Sequence, residues 1–254
     1  MELPRTPSFR LDGKRALVTG GTRGIGLGAA VALAEAGAAV TVVGRHAGNL
    51  AAAVGAMREL GLTVDGEVLD VTRHDDVVAF TERAAPFDIL VNSAGSARHA
   101  SFLDVTPADY QAILDINLGA TLFVSQSVCS RLVAAGRPGS IINVSSQMGH
   151  VAGPNRSVYA ASKFAVEGLT KAMAIDLAVH NIRVNSLCPT FIETELAAKS
   201  LSEPAFRNWV LSKIKLGRIG RLEDIMGPVV FLASDAASLM TGSALMVDGG
   251  WTAE

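Results

Sequence analysis

Seven short apolar runs, alternating with stretches of helical period, constrain what this chain can fold into more than any other feature. The runs are Arg15–Thr19, Ala39–Val43, Val64–Leu69, Asp88–Val91, Ser140–Val144, Ile182–Leu187 and Ala244–Val247. The early ones are apolar nearly throughout, the pattern of strands covered on both faces. Between them Ile25, Ala29, Ala32, Leu33 and Ala36 recur at helical spacing, with Gly37 placed to stop that helix. Thr106-Pro107 begins another, whose continuation carries Asn117, and Ser157 reads as the N-cap of a helix through Leu177. Strand and helix alternating this often predict an α/β fold, a doubly wound parallel sheet with helices on both faces.

The chain of 254 residues shows no linker or shift of composition, so residues 1–254 read as one domain. The stretch Glu193–Lys215 breaks the alternation with helical pattern and no strand. It follows a strand end, where open α/β sheets bind ligands, so it is expected to cover that crevice. With 49% hydrophobic residues, 18% charged residues and a net charge of −2, the chain has no basic block to suggest nucleic acid. Cys129 and Cys188 lack metal-type spacing, and a structural disulfide is not expected. The first twelve residues hold no apolar core of signal-peptide length, and no uncharged run approaches a membrane span, so a cytoplasmic protein is expected.

The first predicted strand runs into Thr19-Gly20-Gly21-Thr22-Arg23-Gly24-Ile25-Gly26 and then into a helix. Glycines there permit a tight turn and a close approach of phosphate to the backbone, while the helix start offers free N–H donors. In a dinucleotide site an acid at the end of the second strand would hold the ribose hydroxyls. Here that strand ends Val42-Val43-Gly44-Arg45. The acid is missing, and Arg45 with Arg23 favours a 2′-phosphate, hence NADP(H) over NAD(H). Asp70-Val71 closes the third strand, where a carboxylate could accept from an adenine amino group. Asn92-Ser93-Ala94-Gly95 closes the fourth with small residues against which a cofactor could lie. Tyr159 and Lys163, four apart, share one helix face, with the pair Ser145-Ser146 upstream.

Together, T-G-x-x-x-G-x-G at Thr19–Gly26, N-x-A-G at Asn92–Gly95, Asn117, Ser146, Y-x-x-x-K at Tyr159–Lys163 and the segment Pro189–Thr194 resemble the short-chain dehydrogenase/reductase family, over essentially the whole chain. The resemblance implies a Rossmann-like sheet of seven parallel strands, a nicotinamide cofactor and a catalytic tetrad of Asn117, Ser146, Tyr159 and Lys163. Its spacing selects Ser146 over Ser145. It also implies that Lys163 holds the nicotinamide ribose, that Asn117 holds a water linking Lys163 to solvent, and that Pro189, Ile192 and Thr194 contact the cofactor. Members pair the Tyr159 helix across a two-fold axis and use a second interface near Val247–Trp251, so a homotetramer is expected.

A phenol of pKa near ~10 is a poor base at neutral pH. An ammonium about 5 Å away, at an effective dielectric of ~20, would favour phenolate by roughly 3 kcal/mol. Tyr159 could then exchange a proton with a substrate oxygen, with Ser146 bonded to that oxygen. Hydride transfer needs no metal. Where many members carry Pro-Gly this chain has Pro189-Thr190, which should narrow or re-polarise the pocket. Ser146, Gln147, Met148, His150, Asn155, Thr190 and Trp209 are the candidate substrate contacts, a mixture suited to a small sugar, polyol or hydroxy acid. A 3-oxoacyl thioester is the alternative substrate, and a non-catalytic dinucleotide sensor a further one, although no tetrad member is missing.

Overall fold

The computed structural model describes residues 1 and 3–253, with every side chain among them except those of Leu196 and Lys199. Seven strands, β1 (Arg15–Thr19), β2 (Ala39–Gly44), β3 (Val64–Val68), β4 (Ile89–Asn92), β5 (Gly139–Val144), β6 (Ile182–Pro189) and β7 (Ala244–Val247), form one sheet. Its order is β3-β2-β1-β4-β5-β6-β7, and every neighbouring pair is parallel. The order reverses between β1 and β4, whose C-terminal residues Thr19 and Asn92 lie side by side. That reversal opens the crevice in which α/β sheets take ligands.

Alternation along each strand explains the two covered faces. Ala16 and Val18 of β1 pack on one side with Leu33 of α1 (Gly24–Glu35) and Ile225, Val229 and Leu232 of the last long helix, Glu223–Ala233. Leu17 between them packs on the other side with Val77 and Phe80 of the helix His74–Arg83 and with Val124, Val128 and Leu132 of Ala120–Ala134. Edge strand β3 lacks this double cover, and its Asp65 is exposed.

Boundaries agree closely with the sequence pattern, with instructive differences. Asp88 lies just before β4, where its carboxylate accepts from the Arg15 amide at 2.9 Å and pairs with Arg137. Strand β6 runs two residues past Leu187, because Pro189 stays in register beside Val247. Gly37 stops α1 at φ +109°, conformational space closed to most side chains. Thr106 caps Pro107–Leu114 by accepting from the Asp109 amide at 3.1 Å, but this helix enters a π-helical turn, Asp115–Gly119, that carries Asn117. The rod Pro107–Ala134 contains a window apolar and long enough to match a membrane span, richer than the sequence pattern suggested, and 44% of that window is buried within the fold. The helix Ser157–Leu177 starts at Ser157 itself. Arg156 occupies the preceding position, and the Ser157 hydroxyl is buried without a partner rather than capping.

Candidate active site

A cavity of about 520 Å³ opens along the carboxyl ends of the central strands. Its floor is the glycine turn, with Gly20, Thr22, Arg23, Gly24, Ile25 and Gly26 on the wall. Gly20 adopts φ +64°, and a Cβ there would lie 2.9 Å from the Ala94 backbone. A Cβ on Gly26 would lie 2.3 Å from the Gly20 carbonyl oxygen. Each glycine therefore answers to a close approach of backbone. Thr19 ties the first and fourth strand ends by accepting from the amides of Ser93 and Ala94, both at 3.1 Å. At the start of α1, Arg23 provides no side-chain cap, and the first turn holds no acid. The helix thus presents unpaired N–H groups and its positive end to the cavity, the electrostatics an anion such as pyrophosphate requires.

At the end of β2 Gly44 and Arg45 both line the cavity. Arg45 is exposed, and Arg23 reaches across to Glu195 with Nη1 3.2 Å from the carboxylate. Ala94, Gly95 and Val71 lie on the wall, together with Pro189, Ile192 and Thr194. Asp70 and Asn92 do not. The Asp70 carboxylate folds back on its own turn, accepting from the amide and hydroxyl of Thr72 at 3.0 and 2.7 Å. Asn92 is 3% exposed and donates to Ser125 at 2.8 Å and Asn143 at 2.9 Å, so it ties strands together.

Asn117, Ser146, Tyr159 and Lys163 converge on the far half of the cavity. Ser146 follows β5, where its hydroxyl donates to Gln147 Oε1 at 2.7 Å and accepts from the Met148 amide at 3.1 Å. Lys163 is anchored by a 2.8 Å bond from Nζ to the Val144 carbonyl, with Nζ 5.8 Å from the Tyr159 ring centre. Asn117 uses both amide hydrogens on protein, donating to the Ser96 carbonyl and the Ser162 hydroxyl, each at 3.0 Å. Its Oδ1 accepts from the Ser96 amide at 2.8 Å. A water held by those amide hydrogens is therefore not what this side chain offers; it fixes the loop after β4 to the Tyr159 helix.

The electrostatics differ from the simple pair interaction. Burial raises Tyr159 above the ordinary phenol value, while the neighbouring Ser146 hydroxyl and the charge of Arg156 pull it down less strongly. Burial brings Lys163 down to about 8, against opposing influences from Cys188 and Glu167. The expected drop in the phenol pKa is thus overridden by desolvation in the free cleft. The arrangement holds a protonated phenol beside a weakened ammonium.

Gln147, Met148 and Thr190 line the same cavity. The Thr190 hydroxyl is buried with no hydrogen-bond partner among the described residues. His150 turns away: its Nε2 lies 3.5 Å from Cys188 Sγ and 3.7 Å from the Glu167 carboxylate, behind the wall. Trp209 also stays off the wall, packed 5.5 Å from Phe206 and 5.4 Å from Trp251 between ring centres. Asn155 is exposed at φ +59° in the loop before the helix. Instead, His99, Arg156 and Phe191 complete this end. Arg156 sits one helical turn before Tyr159, a spacing that could have marked it; nothing local marks His99.

Comparison with known proteins follows the same lines. A family model described as enoyl-(acyl carrier protein) reductase matches residues 20–252. The gluconate 5-dehydrogenase of Gluconobacter oxydans is 40% identical over 248 residues, covering 96% of each chain. The D-erythrulose reductase of Gallus gallus is 40% identical over 245 residues, covering 96% of this chain and 98% of its own. A crystal structure of a gluconate 5-dehydrogenase from Burkholderia cenocepacia in complex with NADP and tartrate is similar with a TM-score of 0.93, at 40% identity, over 97% of this chain and 98% of that one.

Proposed function

The chain belongs to the short-chain dehydrogenase/reductase family, and from that premise we propose that it interconverts a secondary alcohol and a ketone on a small polyhydroxylated substrate, with NADP(H) preferred as cofactor. The observation that carries this is the convergence of Ser146, Tyr159 and Lys163 on one cavity with a glycine-floored, uncapped helix start. The sugar and sugar-acid names of the gluconate and erythrulose enzymes, and the NADP bound in the Burkholderia structure, support substrate class and cofactor.

Gly20, Thr22, Gly24, Ile25 and Gly26 would hold the pyrophosphate, Arg23 and Arg45 a 2′-phosphate, Val71, Ala94 and Gly95 the adenosine half, and Pro189, Ile192 and Thr194 the nicotinamide end. The bound nicotinamide supplies or accepts the hydride. Tyr159 gives its phenolic proton to the ketone oxygen in reduction and takes it back from the alcohol in oxidation. Ser146 donates a hydrogen bond to that oxygen, and Lys163 stabilises the phenolate left behind. The phenol is protonated at neutral pH, the form that donates in reduction, and because burial raises its pKa the charge of Lys163 must offset that burial as the proton leaves.

In this reading residues 1–254 work as one unit, with Glu193–Lys215 covering the substrate, in the cytoplasm and as a homotetramer. Supporting the assembly, Ala161, Phe164, Gly168 and Ala172 of the Tyr159 helix are exposed along its outer side, and β7 is a half-buried edge strand. A 3-oxoacyl thioester is the second substrate reading, kept by the description of the matching family model. The test is NADPH consumption against a panel of keto sugars, keto acids and one 3-oxoacyl thioester. Reduction of the polyhydroxylated ketones is expected; consumption on the thioester alone transfers the assignment to that class, and none on any member refutes the reading.

A further inference from the structure

Arg156 stands immediately before the Tyr159 helix, lines the same cavity and is 7% exposed. Its guanidinium carbon lies 5.3 Å from the ring centres of both Phe191 and Phe206. Nη1 meets the two ring nitrogens of His99 at 2.7 and 3.1 Å, while Nε is buried with no partner. Among the described residues no carboxylate pairs with it. Burial and then the Arg156 charge press His99 down to about 4, so that imidazole is neutral at physiological pH and cannot add to or cancel the charge. Two aromatic faces and a neutral ring orient the guanidinium without compensating it. A buried cation left so is costly unless an anion completes the site.

We propose that Arg156 is the anion anchor of the substrate site and binds the carboxylate of a sugar-acid substrate, holding the chain of hydroxylated carbons toward Tyr159. This rests on the oxidoreductase reading and narrows its substrate class. A planar guanidinium matches a carboxylate through two parallel hydrogen bonds. A single positive charge balances a monoanion, whereas a phosphate dianion would remain under-compensated. Because Phe191, Phe206 and His99 already fix the side chain, little ordering remains to oppose binding. Phe206 belongs to the helix Pro204–Lys213 within the covering segment, so that segment buttresses the anchor.

The matched pair D-gluconate and D-sorbitol differs only in a carboxylate against a hydroxymethyl group at one end. Binding of each to the full chain, read by calorimetry without cofactor and with NADPH, whose complex with an alcohol cannot react, requires no turnover. Gluconate should bind more tightly than sorbitol. Arg156→Gln should weaken gluconate about 10- to 100-fold, the worth of charged hydrogen bonds, and leave sorbitol and NADPH unchanged. Arg156→Lys should recover part of the loss. No advantage of gluconate over sorbitol in the wild-type chain overturns the proposal, and that comparison decides alone if the variants fail to fold. A Gln variant that weakens both polyols alike overturns it too, showing Arg156 only to fasten Phe206 to the cleft wall. Tighter binding of sorbitol 6-phosphate than of gluconate overturns the carboxylate assignment. Arg156-dependent gluconate binding without NADPH consumption on any carbonyl leaves the anchor standing and removes the oxidoreductase reading instead.

Discussion

Converting Gly44 to aspartate and Arg45 to alanine should move the cofactor preference from NADPH to NADH, provided Thr22 is altered with them. A Cβ at Gly44 would lie 2.7 Å from Thr22 Cγ2, too close to tolerate unchanged. Thr22→Ser removes that methyl and keeps the hydroxyl, so the variant is Thr22→Ser/Gly44→Asp/Arg45→Ala. A hydrogen bond to a charged group contributes roughly 1.5–3 kcal/mol when sheltered, and an exposed ion pair only about 0.2–1 kcal/mol. Arg45 is exposed, and Arg23 must leave Glu195, whose side chain is 79% exposed. About 1 kcal/mol from Arg45 and half that from Arg23 give roughly 1.5 kcal/mol, or about tenfold in favour of NADPH. The new carboxylate would accept from the ribose hydroxyls and repel a 2′-phosphate, which should bring the ratio below one. The assay is the ratio of kcat/KM for NADPH and NADH with one ketone substrate, in wild type and variant. Glu195→Gln is the companion measurement: releasing Arg23 and removing a negative charge should raise the ratio a few-fold. A wild-type ratio at or below one would show both arginines spent on solvent and would sink the cofactor assignment, leaving the chemistry of Tyr159 untouched.

Tyr159→Phe keeps the ring and removes the proton donor, so turnover should fall by about two to four orders of magnitude while cofactor binding persists; near-normal turnover would exclude Tyr159 from the proton step. Lys163 is charged below its pKa of about 8 and neutral above it, so reductive kcat/KM should fall as pH rises through that value in the free enzyme. A profile flat to about pH 10, the range of an unperturbed lysine, would show that the ammonium does not support the phenolate. Light scattering at micromolar concentration should give the mass of four chains, and Ala161→Glu with Gly168→Glu on the exposed side of the Tyr159 helix should lower it. A wild-type monomer would refute the assembly.

The sheet was legible because its signal is local. Strands covered on both faces must be apolar throughout, and the helices between them end at residues such as Gly37, which takes a backbone conformation that few other residues can adopt. The glycine turn, Tyr159 and Lys163 were legible for a similar reason: their spacing fixes where they fall on one strand end and one helix face, while the choice of Ser146 over Ser145 rested on the family resemblance. What stayed hidden depends on partners distant in sequence. Asn92 occupies a strand end that could as well face a ligand; its side chain instead meets Asn143 on β5. His99 and Arg156 are 57 residues apart and become a unit only when two loops meet. His150 is in the expected loop, but the turn at Gln147–Gly149 aims it at Cys188. Direction of a side chain out of a loop, unlike its position along a strand, has no period to read.

The reversal of strand order between β1 and β4 has an evolutionary consequence. Arg23 and Gly44-Arg45 hang from the β1 and β2 side of that divide, while Ser146, Arg156 and Tyr159 hang from β5 and the helix behind it. In the proposed reading, a change of charge at Arg45 leaves Ser146, Arg156 and Tyr159 untouched, whereas Arg23 is tied to Glu195 of the covering segment. Selection can therefore alter which redox pool the enzyme draws on and which carbon skeleton it accepts as two nearly independent traits. The segment between Pro189 and Glu195, which lines the same cavity, would have to answer to both at once.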